Sequence, residues 1–306
     1  MLIVQDSSRE QVAGVLPLSW PQEGLWFFEQ AAPGTPAYNI VEGWWLRGAL
    51  NVTAVQQSLD AVARRHETLR TAIGSKGGKP CQIVFPPRRF PLQVIDLRGA
   101  EKARAEGMRQ AEAEARKPFN LTAETLARVT LFQTDDQEHL MVVNMHHLIS
   151  DASSVGVFMR ELEAFYTAHS SGQTAVLPEL PIQYGNFALW QREMSQGDRL
   201  RENLEYWTKQ LQGAPPLLTL PTDRLRSSIP TYRGAALFTT LPASLAASIR
   251  ELARNEGSTV FRILFSAFNI LLQRYTLQDD IVVGTPFAGR EDTETEDLIG
   301  FFVNKF

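Results

Sequence analysis

The residues with the clearest chemical potential are His146-His147-Leu148-Ile149-Ser150-Asp151, standing where an apolar run ends. Strand ends and loops are where a rigid scaffold presents reactive groups. Consecutive strand residues face opposite ways, so the two imidazoles do not share a cavity unless the strand has already broken. One histidine is therefore expected to be chemical and its neighbour structural. An imidazole here suits general-base work, and Asp151 lies close enough along a tight turn to fix local geometry or hold an arginine. A plainer reading is a buried histidine bonded to backbone, with Asp151 capping a helix that begins near Ser153. A metal reading would use His147 and Asp151, but adjacent histidines and one carboxylate fall short of the three or four convergent ligands of a zinc site.

Other nucleophiles fit less well. The chain has no Gly-x-Ser-x-Gly elbow, and its single cysteine, Cys81, sits beside Pro80 in a strand-like run far from the histidine pair. Gly74 to Gly78 carries lysine but lacks the strand, spacing and Ser/Thr of a phosphate loop, so it reads as an exposed turn.

The element that must deliver the histidines is the second arm of a hairpin: Leu126 to Gln133, a turn at Asp135-Asp136, then Glu138 to Met145. After the polar loop, Val155, Phe158, Leu162 and Phe165 mark an amphipathic helix. Upstream, Leu16 to Phe28 leads into an aromatic-rich helix. Asn51 is placed to cap a second, with Val52, Val55, Leu59 and Val62 on one face and an end near His66. Gln82 to Phe85 and Gln93 to Leu97 read as short strands, and Glu101 to Lys117 as a helix stopped by Pro118. Ser170 to Pro181 is small, polar and Pro-bearing, a linker candidate that closes a first lobe at residue 172, with a second break at Gly213 to Pro221. The remainder, 173–306, predicts helices over Leu200 to Leu211 and Ala243 to Asn255, a buried helix over Val260 to Tyr275, and strands at Ala235 to Leu241 and Ile281 to Gly284. Leu50 and its helix find a weak echo in Leu241 and the helix that follows, suggesting two similar α/β units.

Composition narrows the classes. The 306 residues include 30 Lys plus Arg and 34 Asp plus Glu, a net charge of −4, and 44% hydrophobic residues. That length suggests about two lobes of ~150 residues. Without a basic excess, wrapping nucleic acid or lying on an anionic membrane has no electrostatic support. A single cysteine points to a reducing compartment, the cytoplasm by default. The longest greasy stretch, Ile263 to Leu272, is broken by Ser266 and Asn269, short of the ~20 apolar residues of a span.

Five motifs in order then carry a resemblance. They are Leu18-Ser19-Trp20-Pro21-Gln22-Glu23-Gly24-Leu25-Trp26, Arg65-His66-Glu67-Thr68-Leu69-Arg70-Thr71, Met145-His146-His147-Leu148-Ile149-Ser150-Asp151, Tyr184-Gly185-Asn186-Phe187-Ala188-Leu189-Trp190-Gln191, and Ile299-Gly300-Phe301-Phe302-Val303-Asn304. Together they resemble the condensation domains of nonribosomal peptide synthetases, relatives of chloramphenicol acetyltransferase. The resemblance implies an α+β fold of two acetyltransferase-like lobes, each a two-layer α/β sandwich, in a V-shaped pseudo-dimer whose second lobe is incomplete here. It implies a tunnel entered by phosphopantetheine arms from upstream and downstream peptidyl carrier domains, an adjacent adenylation domain, and no cofactor bound by the domain itself. The implied reaction joins a carrier-bound acyl or peptidyl thioester to the amine of a carrier-bound aminoacyl thioester. His147 matches the position credited with directing or deprotonating that amine. His146 and Asp151 match structural positions, and Arg290 in Gly284-Thr285-Pro286-Phe287-Ala288-Gly289-Arg290 is the expected partner of Asp151.

The chain also departs from the pattern. Ala152 and Ser153 follow Asp151 where the family usually has Gly and often Trp, Asn186 replaces the usual Asp of the fourth motif, and Lys305 follows Asn304 where Thr is common. If the backbone at residue 152 needs positive φ, Ala is strained there; if φ is negative, Ala is the better residue. Two alternatives are weighed: an epimerisation domain of the same superfamily, and a catalytically degenerate, condensation-like docking module. The form of the first motif resembles the class that accepts an L-configured donor. Arg64 and Arg65 read as helix-end residues in structural service, and Trp26, Trp190 and Trp207 as core or lobe-interface anchors. Family members are longer, so the chain is expected to be a fragment that leaves apolar surface exposed and is weakly active or inactive alone.

Overall fold

A mixed four-stranded sheet organises the part of the chain that holds the histidines. The computed structural model describes residues 2–3, 12–122, 125–224 and 234–305. In chain order the elements are β1 (Leu2–Ile3), β2 (Gly14–Pro17), α1 (Trp20–Ala31), β3 (Asn39–Arg47), α2 (Val52–Arg65), a 3-10 turn (Glu67–Arg70), β4 (Thr71–Lys76), β5 (Lys79–Val84), β6 (Leu92–Asp96), α3 (Ala103–Ala115), β7 (Ala127–Asp135), β8 (Glu138–His146), α4 (Ala152–Ser170), α5 (Tyr184–Met194), α6 (Gly197–Gln210), α7 (Ala243–Asn255), α8 (Val260–Thr276), β9 (Pro286–Phe287), α9 (Thr293–Glu296) and β10 (Asn304–Lys305). The main sheet runs β3-β8-β7-β6, with β6 parallel to β7 and the other pairs antiparallel. A second sheet, β1-β4-β5-β2, is antiparallel throughout.

The period of two in β8 explains the layers. Met141, Val143 and Met145 point into a core shared with Val55, Leu59 and Val62 of α2 and Val157, Phe158 and Leu162 of α4. Leu140 and Val142 point the other way, toward Ala103 and Ala111 of α3. The sheet is thus clamped between α2 with α4 on one face and α3 on the other. Asn51 caps α2 as its type suggests, its side chain accepting from the Ala54 N–H at 3.0 Å. The stretch expected as a turn from Gly74 to Gly78 is mostly strand: Gly74 to Lys76 pair with β5, and the turn itself is Gly77-Gly78, both with positive φ.

Two compact units result, residues 1–199 with 286–306, and residues 200–285. In the second unit α7 and α8 form where expected, but the strands expected at 235–241 and 281–284 do not. A strand needs a partner ladder that propensity does not supply, and Leu237 is 96% exposed. α8 was also expected to be buried. Only Leu272 of it is, while Phe261, Phe268 and Ile270 are exposed, because an apolar sequence states the need for a cover without providing one. Trp26 packs against the main core, whereas Trp190 and Trp207 are exposed rather than core anchors. Among the described residues no helix is long and apolar enough to cross a membrane.

Candidate active site

β8 carries the chain to His146, which pairs with Asn39 of β3. The ladder extends one bond further, from the His147 N–H to the Tyr38 carbonyl at 2.9 Å, and then a turn closes with the Ile149 N–H donating to the His146 carbonyl. The two imidazoles therefore leave the strand end into different surroundings.

His146 is 1% exposed. Its Nδ1 accepts the Leu148 N–H at 3.1 Å, which obliges Nε2 to carry the proton that faces Glu29 Oε1 at 3.2 Å. The ring is walled by Tyr38 and Phe119. His147 is half-buried, and its Nδ1 lies 2.8 Å from the Ser150 carbonyl. A carbonyl oxygen only accepts, so Nδ1 is the protonated nitrogen, and in the neutral ring the lone pair is left on Nε2. Adjacent histidines are thus held in opposite tautomers by backbone groups of the same turn. The ring of Phe301 lies against His147, centroids 4.6 Å apart.

Asp151 is fully buried at the N-terminus of the 19-residue α4, where the helix dipole favours a carboxylate. Oδ1 accepts the Ser154 N–H and Oγ–H, each at 2.8 Å, and Arg290 Nη2 at 3.1 Å. Oδ2 accepts the Phe302 N–H at 3.1 Å. The Arg290 Nη groups also donate to Ser154 Oγ at 2.8 Å and to the Thr295 and Leu298 carbonyls, and the guanidinium stacks on the Phe302 ring at 4.1 Å. Capping and arginine pairing, which sequence reasoning left as alternatives for Asp151, are both present. This carboxylate is therefore occupied, and among the described residues no group of three or more His, Cys, Asp or Glu is arranged to hold a metal.

Hydrogen bonds stitch the five motifs into one frame. Ser19 and Gln22 form a capping box on α1, and Gln22 Nε2 donates to the Leu148 carbonyl at 2.8 Å. Tyr184 is 1% exposed, and burial pushes its phenol well above the usual range. Protonated, it donates to the Phe301 carbonyl at 2.6 Å and accepts from Ser19 Oγ at 2.8 Å. Thr68 Oγ1 donates to the Ile299 carbonyl at 2.9 Å, and Gln183 Nε2 to the Arg65 carbonyl at 3.0 Å. Arg65 has the structural service expected of it, binding Glu161 at 2.9 Å beside His66. Asn186 Oδ1 accepts the Gln183 N–H at 2.9 Å, a helix-capping task that an amide oxygen performs as a carboxylate would. Gly300 is required by space: a Cβ there would lie 2.1 Å from the Tyr184 ring.

Ser154, Glu29, Tyr184 and Phe301 are the residues whose part sequence reasoning missed. Ser154 stands three after the N-cap Asp151, the spacing of a capping contact, and was legible in principle. Tyr184 and Phe301 lay inside the motifs with no role attached. Glu29, one of two acids in the aromatic-rich α1, gave no signal.

A strand end presenting a tautomer-fixed histidine beside a buried Asp–Arg pair is a site suited to proton transfer at a reacting amine or hydroxyl. Comparison with known proteins agrees with the motif order. The family described as condensation domain matches residues 12–306, so the chain belongs to the condensation-domain family of nonribosomal peptide synthetases. A linear gramicidin synthase of Brevibacillus parabrevis is 44% identical over 94% of this chain, which spans 4% of that protein. Phosphinothricin tripeptide synthetase PhsC of Streptomyces viridochromogenes is 40% identical over 95% of the chain, which spans 27% of it. Among solved structures, the X-domain from teicoplanin biosynthesis shares 28% identity at a TM-score of 0.84, with 99% of this chain and 66% of that one covered. A four-domain nonribosomal peptide synthetase, AB3403, matches in fold at 0.85 with 23% identity, covering 99% of this chain and 23% of that one. The mixed α/β architecture is that of the chloramphenicol acetyltransferase-like condensation domains.

Proposed function

We propose that this chain catalyses amide formation between a carrier-bound donor thioester and the amine of a carrier-bound aminoacyl thioester. The observation that supports the reading best is the tautomer of His147: with Nδ1–H held on the Ser150 carbonyl, the Nε2 lone pair is free to accept a proton. The amine nitrogen attacks the thioester carbonyl carbon, and its excess proton passes to Nε2. The tetrahedral oxyanion then collapses, the C–S bond breaks, and the departing sulfur takes the proton back as a thiol. Asp151 and Arg290 do not touch substrate in this scheme. They hold the start of α4 and the segment around Phe301 in place behind the base.

Phosphopantetheine belongs to the substrates, so the domain needs no cofactor of its own. Its partners are the carrier domains on either side and an adenylation domain, and its place is the cytoplasm. We place the lobe boundary between residues 172 and 173, with the segment from Arg290 to Phe302 returning to pack beside α4 and α5.

A condensation assay with two loaded carrier proteins tests the reading. His147→Ala should keep the fold and lose about 10²–10⁴-fold in turnover, the usual worth of a general base. An unchanged turnover number in the folded variant removes His147 from the chemistry. No product with any carrier pair, from this chain alone or within a longer synthetase, favours epimerisation or a docking role instead.

A further inference from the structure

We infer that Ser154 and Phe301 are positioning residues for His147, Ser154 acting through the backbone of residues 300–302 and Phe301 through its ring. The inference rests on the proposed role of His147 and adds the device that sets its orientation. Ser154 is 0% exposed, and its one hydroxyl meets four groups. Oγ accepts Arg290 Nη2 at 2.8 Å and the Gly300 N–H at 3.0 Å, and its single hydrogen is shared between Asp151 Oδ1 and the Gly300 carbonyl, each at 2.8 Å. A hydroxyl offers one donor and two acceptor sites, so this one is saturated. It joins the Asp151–Arg290 pair to both polar groups of one glycine.

The residues that follow are tied as firmly. The Phe301 carbonyl accepts the buried Tyr184 hydroxyl at 2.6 Å, and the Phe302 N–H donates to Asp151 Oδ2 at 3.1 Å. Phe301 therefore stands between two anchored peptides, and its ring lies against the His147 imidazole at 4.6 Å between centroids, tilted by 57°. Among the described residues, His147 has a single side-chain hydrogen bond, at Nδ1. One bond leaves a ring free to tilt about it, and a packed aromatic face removes that freedom. The direction of the Nε2 lone pair is thus set by the Ser150 carbonyl on one side and by Phe301 on the other. Misplacement of a reacting group by about 1 Å can cost about 10²-fold in rate, so the clamp acts on turnover rather than on substrate binding.

The test uses the chain with 15N-labelled histidine, comparing wild type with Ser154→Ala, Phe301→Leu and the double variant. His147 should show a protonated Nδ1 in the wild type. In both single variants its ring signals should shift or split into a tautomer mixture while those of His146 stay in place. In the two-carrier assay kcat should fall about tenfold or more with KM within about twofold, and the double variant should be no slower than the slower single one, because both act on one ring. Unchanged His147 signals in folded Ser154→Ala and Phe301→Leu overturn the inference, as do multiplicative kcat losses. Phe301→Leu keeps every backbone bond of the segment, so it decides the matter alone if Ser154→Ala does not fold. A wild type without amide-forming activity overturns the proposed function and leaves the ring signals to judge the clamp. A wild type that needs His147 while both positioning variants run at full rate overturns the clamp only.

Discussion

Removing Arg290 should destabilise the part of the structure that holds the site by several kcal/mol, roughly the worth of breaking a buried ion pair from one side. Its side chain is 7% exposed and that of Asp151 is 0% exposed, so Arg290→Met leaves a carboxylate in the interior without its cation. Breaking a buried pair from one side costs about 3–5 kcal/mol. Three features of the structure bear on where in that range the value falls. Asp151 keeps the Ser154 N–H, the Ser154 hydroxyl and the Phe302 N–H, together with the N-terminus of α4, which lowers the cost. The Thr295 and Leu298 carbonyls each lose a charged donor, and the Phe302 ring loses the guanidinium stacked on it, which raises it. The two corrections oppose, so the middle of the range stands. Asp151→Asn should cost a similar amount, since Arg290 then faces an amide. Because the chain has two compact units, native-state hydrogen exchange of the α4 amides is the appropriate assay, reporting the opening of the unit that holds the pair. The double variant should be less destabilised than the sum of the singles by about 0.5–3 kcal/mol. Additive losses would show that the two side chains do not interact and would refute the reasoning.

Two further outcomes follow from neighbouring residues. Ala152 is the first residue of α4, and among the described residues Leu277 is the one non-glycine with positive φ. Ala152→Gly should therefore destabilise by about 0.4–1 kcal/mol, read from the denaturant midpoint, and a stabilised variant would mean the backbone there favours glycine. Glu161 is buried, which by itself raises its pKa. The hydrogen bonds and charges of His66 and Arg65 outweigh that and hold the carboxyl below its ordinary value. A depressed folded-state pKa gives stability that is present above the unfolded value of about 4.3 and lost as pH falls through the folded one. The wild type should lose stability more steeply than Glu161→Gln below about pH 4, and parallel acid melting curves of the two proteins would contradict this.

Local rules were enough to read much of this protein. The alternation that makes β7 and β8 a hairpin, the caps at Asn51 and Asp151, and the helical period of α2 and α4 all depend on residues within a turn or two of one another. The histidine pair was legible for the same reason, since a strand end and the turn after it are local features. Period also required the two rings to part company. It did not say which nitrogen each would protonate. That depends on the Ser150 carbonyl for His147, and on the Leu148 N–H with Glu29 for His146, a partner 117 positions away in the chain.

The failures have the same cause turned round. Ala235 to Leu241 has strand composition and α8 has the composition of a buried helix, yet pairing and burial are properties of a partner, and propensity cannot supply one. Ser154 became the junction of Asp151, Arg290 and Gly300 because the chain returns after 146 residues to lay Gly300 on the first turn of α4. Sequence by itself determined which residues could do acid–base chemistry and which local elements would hold them. Tertiary structure decided which nitrogen is free, which carboxylate is spent on an arginine, and which ring faces the base, because each of those depends on atoms brought together from distant parts of the chain.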